Sequence, residues 1–449
     1  MLGTNDVAQL EDSTFLITEA QENLEGGEIA VAASGSTLRA ALAGLIGNVL
    51  EWFDFAVYGY FAGDIGHQFF PNSSRAAQQL LAFAVFAIGF FARPLGSFAL
   101  GVVGDRMGRR TLLTLSIGLM GASTFLFGVL PSYAQIGVAA PVLLVLLRVI
   151  QGVSVGGEFT GSMVFTTEAS SPARRGLVSS STATGVTIGF VLGSGAAWAV
   201  NRLLRPEQVV DWGWRIPFVA SVIFCLAGWL LRRGIHETAA GLKATATRPP
   251  LLPSIAADWL PMLRTFGIAA TPNAAYYLTF TYVVEARKNL SGGGVDFLLA
   301  NTLSLMVVLG AKVFGGWLSD RVGRRRLSLV LAAAMIALVD PAFRLMLYAS
   351  PLGFAVGQIM LAVPIGMAGG LAGAMLVEIF PLRTRVTSMS IAYSVTMAVA
   401  GGSTPLVATW LVQRWGEPLA PAYYVMLYGA LGLALMLPMK ETNGGALDQ

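Results

Sequence analysis

Apolar residues along this chain come in long blocks, separated by short polar and basic interruptions. A bilayer-spanning helix needs about 20 mostly apolar residues. Blocks of that length lie at roughly 40–63, 79–102, 111–130, 141–165, 177–200 and 215–232. A second set lies near 263–284, 297–318, 327–348, 352–376, 386–412 and 421–438. The pattern predicts an all-α integral membrane protein of twelve transmembrane helices. The stretch between the sixth and seventh blocks is the longest interior connection and carries Arg232, Arg233, Lys243, Arg248 and Pro249-Pro250. The expected organisation is a tail (1–36), a six-helix bundle (37–232), a linker (233–262), a second six-helix bundle (263–440) and a short tail (441–449).

Charge adds an orientation. Arg106, Arg109 and Arg110 follow span two, Arg174 and Arg175 span four, Arg321, Arg324, Arg325 and Arg326 span eight, Arg383 and Arg385 span ten. Because cytoplasmic loops of membrane proteins collect Lys and Arg, these loops and both termini are predicted to be cytoplasmic in a bacterial inner (plasma) membrane. The first 36 residues hold Asp6, Glu11, Asp12, Glu19, Glu22, Glu25 and Glu28 with no Lys or Arg. A signal peptide starts positively charged, so this stretch reads as a solvated tail.

Composition narrows the class of activity. Hydrophobic residues make up 55% and charged residues only 12%, against about 25% charged in soluble proteins. Lipid is therefore a partner of the surface, and the net charge of +4, scattered in short clusters, does not indicate nucleic acid. One cysteine, Cys225, excludes a disulfide within the chain. With His67 and His236 it makes no metal-ligand spacing. No phosphate-cradling loop or cofactor fingerprint is present, so neither metal nor cofactor is expected, and the chain is not read as an enzyme.

The two halves repeat. Gly101-x-x-x-Asp105-Arg106-Met107-Gly108-Arg109-Arg110 recurs as Gly316-x-x-x-Asp320-Arg321-Val322-Gly323-Arg324-Arg325. Glu168, Pro172, Arg174 and Arg175 recur as Glu378, Pro381, Arg383 and Arg385 at nearly the same offset. Parallel halves of this kind belong to carriers that rock about a midplane site.

With these motifs the chain resembles the major facilitator superfamily. Within it, Gly47-Asn48-Val49-Leu50-Glu51-Trp52-Phe53-Asp54-Phe55, Gln151-Gly152-Val153-Ser154-Val155-Gly156-Gly157-Glu158 and Asp211-Trp212-Gly213-Trp214-Arg215-Ile216-Pro217-Phe218 resemble its metabolite:proton symporters. The resemblance implies two pseudo-symmetric bundles and alternating-access uptake of a small solute with a proton as coupling ion. Its members carry proline and betaines, α-ketoglutarate, citrate, shikimate or other organic acids. Gly189-Phe190 in span five, where drug antiporters of the superfamily carry Gly-Pro, agrees with uptake. The protein is expected to act as a monomer; a facilitative uniporter and a carrier-like solute sensor are the alternatives. The resemblance also implies a cytoplasmic gate formed by Asp105, Arg106, Arg109, Arg110 and Glu168, with Asp320, Arg321, Arg324, Arg325 and Glu378 in the second half.

Ionisable groups inside a bilayer are costly and therefore functional candidates. Glu51, Arg93 and Glu158 each fall about ten residues, roughly 15 Å, from the cytoplasmic end of their spans. On span four Arg148, Gln151, Glu158 and Ser162 share one stripe, and in span one Asp54 and Tyr58 share a face. Two readings stand: the arginines attract a solute carboxylate while the acids carry the proton, or the arginines only neutralise the acids. The expected solute contacts are Arg93, Arg148, Gln151, Tyr58, Asn273, Tyr276 and Tyr277; the proton-coupling candidates are Glu51, Asp54 and Glu158. Lys312 reads as close enough to the cytoplasmic edge to snorkel, and Gly185, Gly189 and Gly193 read as a close helix contact.

Overall fold

The structure, a computed structural model, describes residues 47–99, 109–156, 158–233, 256–291, 295–382, 384–445 and 447. The acidic tail, Asp105, Arg106, Arg383 and most of the 233–262 linker lie outside the described residues. So do the side chains of Arg109, Arg110 and Glu158, whose backbone is helical.

Twelve helices build the fold, and no strand occurs among the described residues. The first half comprises α1 (47–69, with a turn at Phe61), α2 (Arg75–Ala99), α3 (Arg109–Val129), α4 (Ala139–Glu168), α5 (Arg175–Leu203) and α6 (Gly213–Gly228). The second comprises α7 (Trp259–Tyr277, continued by Leu278–Tyr282 and Val283–Ser291), α8 (Asp296–Val322), α9 (Arg324–Tyr348), α10 (Pro351–Ile379), α11 (Arg385–Trp415) and α12 (Ala420–Met436). Seven of them, α2, α4, α5 and α8–α11, are each long and apolar enough to cross a membrane. The burial pattern is that of a protein in lipid: Leu95, Phe98, Leu203 and Leu352 are exposed, whereas Asp54, Arg148, Gln151 and Arg324 are inside.

Two helices carry wide π turns, Leu278–Tyr282 in α7 and Ala398–Gly402 in α11. Such turns contain i→i+5 hydrogen bonds and are found mostly as single bulges at functional places. Both face the first half: Thr281 lies against Gly59 of α1, and Gly402 against the ring of Phe90 in α2.

α4 is broken rather than straight. Its first segment ends at Ser154, Val155 and Gly156 form a turn, and the helix resumes at Glu158. Just before the turn, α4 packs closely on α2: a Cβ on Gly152 would stand 2.1 Å from the carbonyl oxygen of Gly89. The Glu158 side chain lies outside the described residues, so the stripe expected on span four is described only at Arg148, Gln151 and Ser162. Gly152→Ala, which drives a methyl into backbone, is expected to destabilise the protein by about 1–3 kcal/mol or more. Thermal unfolding of the purified protein measures this; an unchanged midpoint would show that α2 and α4 separate freely. In α5, Gly189 and Gly193 press on α1, as their spacing predicts.

The loop motif also has a backbone reason. Gly323 takes φ of +101°, a conformation that side chains disfavour, and the chain turns there from α8 directly into α9. That turn sets Asp320 and Arg324 beside the first half.

Candidate functional site

The charged residues of the first half form two buried ion pairs. Arg148 Nη1 donates to Asp54 Oδ2 at 2.5 Å and to Gln151 Oε1 at 2.7 Å. Gln151 Nε2 in turn donates to Asp54 Oδ1 and to Thr124 of α3, both at 3.0 Å. The guanidinium lies 4.0 Å from the centroid of the Tyr58 ring, and the Tyr58 hydroxyl donates to the Ala82 carbonyl at 2.9 Å. Arg148 is thus held on one side by carboxylate and amide and on the other by an aromatic face, which suits its planar, delocalised charge. The second pair joins Arg93 Nη1 to Glu51 Oε1 at 2.7 Å. Here the guanidinium is 4.4–4.9 Å from the ring centroids of Phe90, Phe55 and Trp52.

Between the halves lies a chamber of about 60 Å³. Trp52 of α1, Phe159 and Met163 of α4 and Ala183 of α5 line it from the first half. Asn273, Tyr276 and Tyr277 of α7, Lys312 of α8 and Tyr393 of α11 line it from the second. The Tyr277 hydroxyl has no hydrogen-bond partner among the described residues.

Of the expected solute contacts, Asn273, Tyr276 and Tyr277 are on this wall. Arg93, Arg148, Gln151 and Tyr58 are not: they belong to the two networks just described, and Trp52, which lines the chamber, has its ring centroid 4.9 Å from the Arg93 guanidinium. Lys312 is where the sequence did not place it. Instead of snorkelling, it is buried at the chamber, and Nζ donates to the Ala183 carbonyl at 2.8 Å. The reason is that α8 runs on to Val322, which sets Lys312 about 15 Å from the helix end. Tyr393 carried no sequence signal beyond being aromatic on a membrane helix, and Trp52 none beyond its place in the Gly47–Phe55 motif.

The halves touch on both sides of the chamber. On the side of the repeated loops, the Asp320 carboxylate accepts the backbone N–H groups of Gly176 and Leu177, at 2.8 and 2.9 Å, at the start of α5. A carboxylate at a helix N-terminus meets unpaired donors and the positive end of the helix dipole. Arg324 links Asp320 to Glu378, at 3.0 and 2.6 Å, and Arg385 reaches across to Glu168 at 2.6 Å. Arg385, absent from the expected gate, is therefore the partner of one of its members. Arg321 instead stacks on Trp317 of its own helix, and Arg325 donates to the Leu437 and Met436 carbonyls of α12, so neither crosses between the halves here.

Residues 441–445 and Leu447 finish this face. Glu441 accepts the Arg324 and Arg325 N–H groups at 2.6 and 3.2 Å, capping α9. Partial burial works against its charged form, but the N–H groups of Arg325, Asn443, Arg324 and Arg326 outweigh it and hold the carboxyl below its ordinary range. That cap therefore contributes above the usual carboxylate range and is lost as pH falls through the depressed value.

On the opposite side, Lys288 Nζ pairs with Asp64 at 2.7 Å, and Glu285 accepts the Gly63 N–H at 3.2 Å. Asn301 of α8 donates to Tyr60 of α1 at 2.9 Å. The charged run Glu285-Ala286-Arg287-Lys288 at the end of α7 thereby joins the two halves. No cluster of three potential metal ligands occurs among the described residues.

The sugar (and other) transporter family model matches residues 40–240 and 259–449. The chain belongs to this family, within the major facilitator superfamily. It is 34% identical to the proline/betaine transporter of Salmonella typhimurium over 440 residues, covering 93% of this chain and 86% of that one. It is also 34% identical to the citrate-proton symporter of Klebsiella pneumoniae over 423 residues, covering 93% and 95% of the two chains. Among solved structures, the proton:xylose symporter XylE bound to 6-bromo-6-deoxy-D-glucose superposes with a TM-score of 0.71 at 18% identity, covering 92% of this chain and 98% of that one. A likeness at that identity speaks for the fold alone. This facilitator is a multi-pass membrane transporter rather than an enzyme, as its relatives' names and its two six-helix bundles agree. Its chamber, between the bundles, is where a carrier with parallel repeats holds its solute.

Proposed function

We propose that this transporter couples inward proton movement to the uptake of a small carboxylate-bearing solute, an organic acid or a zwitterion such as proline or a betaine. The observation that carries the reading is the chamber at the seam of the halves, with an amine, tyrosines and an amide on its wall, together with the two buried acid–arginine pairs of the first half. Relatives named as proline/betaine transporters and as a citrate-proton symporter support the same class of solute and the proton.

In this reading Asp54 and Glu51 take the proton. While ionised, each holds its arginine as a counter-ion, and protonation frees the guanidinium of Arg148 or Arg93 to turn toward solute. Gln151 and Tyr58 position Arg148; Asn273, Tyr276 and Tyr277 supply neutral hydrogen bonds to solute. Glu158 joins the acids on its place in α4. The loop motif, with Asp105, Arg106, Arg109 and Arg110 in its first copy, faces the cytoplasm. The bundles 37–232 and 263–440 rock about the chamber, so that the Asp320 and Glu168 contacts hold when the carrier opens outward and part when it opens inward, while Glu378 holds Arg324 from within the second half.

The test is accumulation in proteoliposomes of labelled proline, glycine betaine or citrate supplied from outside. An imposed inward proton gradient should drive uphill uptake of at least one of them, and a protonophore should abolish it. Each charge moved across 100 mV supplies about 2.3 kcal/mol, enough for roughly 50-fold accumulation. Uptake that ignores the protonophore and requires sodium would remove the proton from the mechanism, and transport of uncharged sugars alone would remove the carboxylate.

A further inference from the structure

We propose that Lys312 is the carboxylate anchor of the chamber and that its single amine selects solutes with one carboxylate. The inference rests on the transport reading above and adds to it the residue that recognises the anionic end. Lys312 is 5% exposed and lies on the chamber wall. An ammonium has three donors and no acceptor, and here one donor reaches the Ala183 carbonyl at 2.8 Å. Among the described residues no carboxylate pairs with it. This distinguishes it from Arg93, Arg148, Arg324 and Arg385, each of which has an acid partner within 2.7 Å.

A cation kept at mid-membrane depth without a counter-ion is costly and marks a ligand pathway. A carboxylate entering the chamber would supply the missing charge and accept the remaining donors. The position also suits a carrier, because Lys312 belongs to α8 of the second half while its present acceptor, Ala183, belongs to α5 of the first. The side chain is held in place rather than swinging free: α10 packs on its backbone through Gly370, and Gly369 lies close to its Cε.

The rest of the wall defines the other end of the solute. Trp52, Phe159, Tyr276, Tyr277 and Tyr393 line the chamber, and Lys312 Nζ itself is 5.7 Å from the centroid of Tyr276. Aromatic faces attract methylated or ring ammonium groups. They offer no charge to a second or third carboxylate, which finds a cation only where Arg93 or Arg148 has left its acid. One amine facing an aromatic box therefore fits a monocarboxylate zwitterion better than a tricarboxylate.

The experiment compares matched solutes in proteoliposomes of the full chain: glycine betaine against choline, and proline against pyrrolidine, each pair differing in the carboxylate. In the wild type the carboxylate member of each pair should compete for uptake and its partner should not. Equal competition within both pairs overturns the assignment without any variant. Lys312→Met should weaken the apparent affinity for the carboxylate member about 10- to 100-fold, the worth of a hydrogen bond to a charged group, and should erase the discrimination within each pair. Lys312→Arg, which keeps the charge, should restore discrimination. A Met variant that inserts normally and binds as tightly as wild type removes Lys312 from the site and leaves the transport reading standing. If Lys312→Met does not insert, the Arg variant decides: lost discrimination with intact insertion overturns the proposal. A wild type that accumulates none of the carboxylates under a proton gradient fails the transport reading itself.

Discussion

Exchange of Asp54 for asparagine is expected to abolish uphill accumulation, with a loss of at least about 100-fold, and to destabilise the protein at the same time. The pair with Arg148 has no exposed side-chain surface, and its bonds at 2.5 to 3.0 Å leave no room for water to replace the lost charge. Removing one partner of a buried pair costs about 3–5 kcal/mol, because the other charge is left uncompensated. That alone would confuse a transport defect with a folding defect. Asp54→Asn/Arg148→Gln separates them: with both charges gone, most of the stability should return, since a buried pair replaced as a whole is often neutral. Accumulation driven by protons should not return in the double variant. Exchange of labelled for unlabelled solute, which needs no net proton movement, should survive better than accumulation in both. Normal uphill uptake by Asp54→Asn would remove Asp54 from the coupling path and leave Glu51 as the acid to test.

The second large effect is expected at Asp320. Its carboxylate accepts two backbone N–H groups of α5 in the other half and pairs with Arg324 in its own. Hydrogen bonds to a charged group contribute about 1.5–3 kcal/mol each. Asp320→Ala should therefore shift the gate by about 3 kcal/mol toward opening on the motif side, roughly 100-fold in the equilibrium. A reporter cysteine at Ala372, on the chamber wall, in a chain with Cys225 replaced by serine, makes this measurable. Its labelling by a membrane-impermeant maleimide from the motif side should accelerate by one to two orders of magnitude. Labelling at the parent rate would show that Glu168–Arg385 and the contacts of 441–445 and Leu447 hold the face closed without Asp320.

Hydropathy carried the fold, because a lipid exterior forces long apolar helices and the number of runs is then readable. The place of Asp320 was partly legible: the repeated loop motif singled it out, and its carboxylate lies against the start of α5. What was not legible is which charge meets which. Asp54 and Arg148 are 94 residues apart, and sequence periodicity alone left them as either partners or solute contacts. The turn at Val155 and Gly156 interrupts α4, and apolar periodicity does not announce it. Lys312 was misread through the helix boundary: a few residues added to the end of α8 turn an edge residue into a midplane one. Boundaries are the weakest part of any hydropathy reading, and here one of them decided the character of the site.

The π turns in α7 and α11 have a mechanical consequence. Each holds one residue more than an ordinary turn, and that surplus can migrate by exchanging i→i+5 bonds for i→i+4 bonds one at a time. The segment between the old and new positions of the bulge then rotates by about 100°, the step of one residue on a helix. Both bulges lie where these helices bear on α1 and α2. Part of the relative motion of the halves can thus be taken up as torsion within α7 and α11. Each can act as a screw joint while its ends stay helical, with no backbone unzipped into lipid.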